Sequence, residues 1–141
     1  MRTYCTFKSN LRLENYLLVS SNNYGRYLHT ALRIGTNKLR IDMDRRNNLE
    51  EKDRICKECN LNVVENELHF LVECDKYNQL RSQLFNSIFT LSKGKWNLSA
   101  ISKHDCFIIL INGTLDNYQY KIFRLLHSYL AKMFKLRVNI N

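Results

Sequence analysis

Proline is absent from this chain of 141 residues, and glycine occurs only four times. Without proline there is no stiff extended linker, and the usual punctuation of element boundaries is thin. Four scattered glycines build no phosphate-cradling loop, which removes the common nucleotide-binding motifs. Long hydrophobic runs are missing as well. The longest, around Phe107 to Ile111, falls far below the ~20 apolar residues that span a bilayer, so no membrane partner is expected. The opening residues combine no basic start, apolar run and small-residue cleavage site, which gives the expectation of an intracellular chain in nucleus or cytoplasm. Acidic residues are scarce: 13 Asp and Glu stand against 22 Lys and Arg, a net charge of +9. Such an excess favours an anionic partner over a small-molecule substrate.

What is present supports one domain of ordinary size, residues 1–141, with a hydrophobic content of 45% to fill a core. Apolar spacing predicts a mainly α fold, with three parts expected: a basic helical segment over 1–55, a central segment over 56–74, and helices over 75–141. Residues 3–8 read as a short extended piece and residues 11–19 as a short helix. A second helix is expected over 24–34, capped by Ser21-Asn22-Asn23, buried through Tyr24, Tyr27, Leu28, Ala31 and Leu32, and stopped by Gly35. Residues 40–54 are so charged that they read as irregular. Asn66 is placed to cap a helix through His69 and Leu71. Residues 75–91 form a further helix with Tyr77, Leu80, Leu84 and Ile88 inward, and residues 98–111 make a hydrophobic segment. The clearest helix is the last, with Leu115, Tyr118, Ile122, Leu126, Tyr129, Met133 and Leu136 at helical spacing.

The chemistry concentrates in the centre. Cys56-x2-Cys59 is followed by His69-x4-Cys74, four soft ligands within 19 residues. Two cysteines separated by two residues reach one ion from a single tight turn, and the nine-residue loop returns a second pair to it. A redox pair is one competing reading of CxxC, but no strand–CxxC–helix unit surrounds Cys56; four unconnected structural residues are the other. The expectation is therefore one structural Zn2+ held by Cys56, Cys59, His69 and Cys74, with room for one short β-hairpin at the metal. Five cysteines, an odd number, fit reduced thiols; Cys5 and Cys106 read as small core residues.

No catalytic centre is legible, and the chain is expected not to be an enzyme. Asp42, Asp44, Glu50 and Glu51 read as a solvated acidic run. His29, His104 and His127 have no evident partner in sequence and read as surface or packing residues. Charge is unevenly distributed: residues 1–55 hold 11 Lys and Arg against 6 Asp and Glu, residues 56–113 hold 6 against 6, and residues 114–141 hold 5 against 1. Candidate phosphate contacts are thus Arg33, Lys38, Arg40, Arg45 and Arg46, and on the last helix Lys121, Arg124, Lys132, Lys135 and Arg137. Tyr24 and Tyr27 offer faces for unpaired bases, although tyrosines at this spacing are more often core.

Several stretches carry a resemblance. They are Arg2-Thr3-Tyr4 with Phe7-Lys8, residues 27–36 leading into Leu39-Arg40-Ile41-Asp42, and Glu51-x2-Arg54-x-Cys56-x2-Cys59. Glu67-x-His69-Phe70-Leu71-x2-Cys74, Tyr77-x3-Arg81 and Ala131-x2-Phe134-Lys135-x-Arg137 extend it. Together they resemble the zinc-binding segment found downstream of reverse transcriptases in non-LTR retrotransposons. The resemblance implies zinc ligation by the four central residues, binding of RNA or DNA, and association with a larger retroelement polyprotein. The chain departs from that pattern in reading Arg40-Ile-Asp-Met-Asp-Arg45 where such sequences often read Arg-Ile-Glu-Thr-Gly-Arg, and in lacking the proline ahead of the knuckle. A zinc-stabilised protein-interaction or scaffold piece, with no nucleic-acid activity, is the alternative.

Overall fold

The computed structural model describes residues 12–137 together with Cys5, Lys8 and Asn10. The extended piece expected over 3–8 lies, apart from Cys5 and Lys8, outside the described residues. Five α-helices are present among them: α1 (Asn23–Ile34), α2 (Arg40–Arg46), α3 (Asn78–Leu91), α4 (Lys103–Asn112) and α5 (Gln119–Leu136). The fold is mainly α, as the apolar spacing predicts. No described helix is long and apolar enough to cross a membrane.

Helix α5 is the centre of the assembly, packed along α1 on one side and α3 on the other. Its Ile122, Leu126, Leu130 and Met133 are wholly buried. They meet Leu28 and Leu32 of α1, Leu84 and Ile88 of α3 and Leu110 and Ile111 of α4 in one core cluster. Helices α1 and α5 touch closely. A Cβ at Gly25 would sit 1.8 Å from the His127 carbonyl oxygen, so only glycine fits there.

The start and stop of α1 follow the sequence. Asn22 Oδ1 accepts from Gly25 N at 2.8 Å, and Gly35 adopts the left-handed conformation (φ 72°) that ends the helix. The helix expected over 11–19 shortens to one 3-10 turn, Asn15–Leu18, whose Tyr16 alone is buried. The helix expected over 75–91 begins as a 3-10 turn, Asp75–Tyr77, before α3 proper. In the hydrophobic segment 98–111 the helix starts only at Lys103, because Ser102 Oγ accepts from Asp105 N. Leu115, expected on the buried stripe of α5, lies before the helix and is fully exposed.

Residues 40–54, expected to be irregular, contain α2 and a 3-10 turn at Glu51–Asp53. Local and distant contacts together order this charged stretch. Ile41 and the preceding Leu39 are buried, Arg40 pairs with Asp44 one turn on at 3.1 Å, and the Arg40 N–H donates to Glu65 Oε2 at 2.8 Å. Arg54 closes the far side by donating to the Ile41 and Leu49 carbonyls. Asp42 and Asp44 are therefore buried and ion-paired, not part of a solvated run, while Glu50 and Glu51 stay exposed.

Candidate metal centre

The four ligands come from two short devices. Cys56 and Cys59 flank the start of a reversal closed by a single antiparallel bridge, Ile55 with Val64. Cys56 N donates to Val63 O and Glu65 N to Arg54 O, both at 2.9 Å. The expected hairpin thus reduces to this bridge, turned by Asn62 at φ 54°, a conformation asparagine tolerates. His69 and Cys74 come from the second device, a π-helical turn over His69–Glu73. Asn66 Oδ1 accepts from His69 N at 2.8 Å, the expected cap. Cys74 N donates to His69 O at 2.8 Å, five residues back. Residues five apart on an α-helix point about 140° away from each other. The wider π turn brings these two to one side, a use of π turns that recurs at functional sites.

The outcome is compact. The ligand atoms of Cys56, Cys59, His69 and Cys74 all lie within 4.8 Å of one another. Cys59 Sγ stands 3.4 Å from His69 Nε2, and Cys56 Sγ stands 4.0 Å from Cys74 Sγ. Two thiolates on one tetrahedral ion are about 3.8 Å apart, and a thiolate and an imidazole nitrogen about 3.6 Å apart. Cys56, His69 and Cys74 are buried and Cys59 partly so. All the cysteines of the cluster are free thiols. The group therefore constitutes a candidate metal centre.

The four groups lie close enough to share protons with one another. The hydrogen bond from Cys74 lowers the Cys56 thiol, and its counterpart raises Cys74. Burial raises Cys59. Burial works against a charge on His69, but its hydrogen bond and attraction to Cys56, followed by Glu73, hold it above its ordinary value.

Around the ligands lies a supporting layer that sequence spacing does not reveal. Glu73 Oε2 stands 3.5 Å from His69 Nδ1, which leaves Nε2 facing the centre. Glu65 Oε1 faces Cys56 Sγ at 3.8 Å. Glu65 is also bound by Arg137 at the end of α5, and Arg137 donates in turn to the Lys38 carbonyl. Arg81 of α3 donates to the Leu71 and Cys74 carbonyls at 3.0 and 2.8 Å.

The basic residues singled out in sequence divide into two groups. Arg33 is 1% exposed, paired with Glu14 and donating to Ile111 O and Asn112 Oδ1. Arg40 and Arg137 are also buried, in their pairs with Asp44 and Glu65. These three stabilise the interior and are not available to a partner, a correction to the candidate set. Lys38, Arg45, Arg46, Lys121, Arg124, Lys132 and Lys135 are exposed. Of the two cysteines outside the cluster, Cys106 is buried as expected and Cys5 is exposed.

The histidines lie at the surface or in the packing, as the sequence reading has them, but two of them have partners that it did not identify. His104 is exposed, but His29 and His127 form a buried chain. Ser21 Oγ lies 2.5 Å from His127 Nδ1, His127 Nε2 lies 3.1 Å from His29 Nδ1, and His29 Nε2 lies 2.9 Å from Ile111 O. A carbonyl accepts only, so each donor along the chain is fixed from Ile111 back to Ser21. Desolvation lowers His29 to about 3 and His127 to about 4.

Fold and site together define a small helical domain clasped by a Cys3His cluster. No protein-family model, curated protein or solved structure matches the chain.

Proposed function

We propose that the Cys3His cluster binds one structural zinc ion and that the domain is a nucleic-acid-binding module, of the kind that accompanies non-LTR reverse transcriptases. Three thiols and an imidazole are a soft donor set that suits zinc. The four ligands complete a tetrahedron, which leaves no position for a reactive water, so the ion's role is to hold the fold. It pins the 55–64 reversal to the π turn, and through Glu65 to α2 and the end of α5.

The observation that carries the nucleic-acid part is one face of α5. Lys121, Arg124, Ser128, Lys132 and Lys135 are all exposed, and their spacing of three and four residues aligns them along the helix. No Asp or Glu occurs anywhere in α5. This stripe runs for about 21 Å, at 1.5 Å per residue over its 14-residue span. An acid-free cationic line of that length fits a phosphate backbone. The test is binding of labelled RNA and DNA by the zinc-loaded protein over a salt series. Four phosphate contacts give a log–log slope of about −3 to −4, and negligible binding at low salt rejects the reading.

A second reading, a zinc-stabilised protein-interaction piece, draws on Leu13 and Leu18, which are 65% and 60% exposed. Absence of nucleic-acid binding together with full zinc occupancy favours it.

A further inference from the structure

Helices α3 and α5 pack on each other, and a groove runs between their outer edges. Its apolar floor includes Leu84 of α3 and Tyr129 of α5, both buried. Its rim is Gln83 and Ser87 on the α3 side and Ser128 and Lys132 on the α5 side, all exposed. Ser128 and Lys132 also belong to the cationic line of α5. Lys121 and Lys135 each lie within about 20° of Ser128 around the helix axis, and Arg124 within about 40°. The line therefore follows the α5 wall of the groove and continues past it in both directions.

The α3 wall has a different chemistry. Helix α3 contains no Asp or Glu, and its single charged residue, Arg81, is buried and donates to the Leu71 and Cys74 carbonyls. Its outer side presents Gln79, Gln83, Asn86, Ser87 and Thr90, all exposed and within about 100° of arc. A solvated helix face ordinarily carries charged residues. One built of amides and hydroxyls offers neutral donors, the groups that hold phosphate and sugar oxygens beside Lys and Arg.

Resting on the nucleic-acid reading above, we propose that the α3–α5 groove seats one sugar–phosphate strand of the nucleic acid. Lys132, with Lys121, Arg124 and Lys135 along the same wall, neutralises its phosphates. Gln83, Ser87 and Ser128 donate hydrogen bonds to phosphate or sugar oxygens. The cations set the salt dependence, and the neutral donors fix the strand's position without adding to it. Neither helix carries an acid that would repel a phosphate.

The experiment follows the anisotropy of a fluorescein-labelled RNA strand and a labelled DNA duplex, each about 16 units long, with zinc-loaded protein over a salt series. The tighter of the two is carried forward. Ser87→Asp, Ser82→Asp, Gln83→Ala and Lys132→Ala are measured beside the unaltered chain, with circular dichroism confirming their helix content. Ser82 is exposed on α3 too, but it sits about 140° around the helix from Ser87 and lines a different hollow, with Arg81 and Cys106. The two aspartate substitutions change the net charge equally, so their difference reads position alone. Ser87→Asp is expected to weaken binding ~10-fold or more, and Ser82→Asp less than ~2-fold. Gln83→Ala should weaken it about threefold with the salt slope unchanged. Lys132→Ala should make the slope shallower by about 0.7 to 0.9. Equal weakening by the two aspartate substitutions, or none from either, overturns the groove and leaves the nucleic-acid module standing. No binding of either probe by the unaltered protein overturns both.

Discussion

Arg137, the residue just past α5, grips Glu65, the residue just past the metal-site reversal, across 72 positions of sequence. Both are buried, and Glu65 also receives the Arg40 N–H and faces the Cys56 thiol. One carboxylate therefore joins the clasp to two helices.

Removing one partner of a buried pair strands the other charge. Arg137→Ala is expected to destabilise the protein by about 3–5 kcal/mol in chemical denaturation. The double variant Glu65→Gln/Arg137→Ala should recover part of that loss, since a neutral amide is easier to leave unpaired. Equal stability of Arg137→Ala and the unaltered chain would dismiss the linking role.

Gly25→Ala tests the close approach of α1 and α5. The new methyl group meets the backbone of His127, not a movable side chain, so the helices must separate. The expected cost is about 3 kcal/mol, the upper end for overpacking, with a fall in melting temperature on the order of 10 °C. A melting temperature within a degree or two of the original would mean the helices have room to spare.

The buried histidine chain predicts a pH dependence. His29 and His127 titrate at about 3 and about 4 in the fold, against ~6.5 when unfolded. Between these values the unfolded chain binds more protons, so stability rises with pH and is lost as pH falls from ~6.5 towards the folded values. The slope approaches about 1.4 kcal/mol per pH unit for each histidine. Denaturation of metal-free protein at several pH values checks this, since zinc release would otherwise contribute in the same range. His127→Gln should flatten the profile, and an unchanged slope in that variant would assign the acid sensitivity elsewhere.

Cys59→Ser removes a ligand that is only partly buried, so little packing is lost with it. Structural zinc contributes roughly 10 kcal/mol or more to small sites, and its loss should fall on the segment it ties together. Amide exchange is expected to speed up over residues 55–74 and much less over α5, whose wholly buried residues form the core centre. Protection of residues 55–74 equal to that of the unaltered protein would speak against a metal-dependent clasp.

How much of this was legible in sequence depends on the range of the interactions. The cap at Asn22, the stop at Gly35, the cap at Asn66 and the four-ligand pattern are local, and each can be read from neighbouring residues. Helix α2 was not legible, because its order comes partly from Glu65 and Arg54, which lie well beyond it in the chain. The same reason hides the burial of Arg33, whose acceptors Ile111 and Asn112 lie 78 and 79 residues away. Periodicity also placed Tyr24 and Tyr27 inward, although they are 49% and 62% exposed, since spacing identifies a stripe but not where its edge meets solvent. The histidine chain joins residues from three separated segments and leaves no trace in any one of them.

The most direct test of the central claim is elemental analysis of the purified protein under reducing conditions. The clasp of Cys56, Cys59, His69 and Cys74 predicts one zinc per chain, retained through gel filtration and lost in Cys59→Ser. Protein that is folded, fully reduced and free of zinc even after incubation with the ion would contradict it.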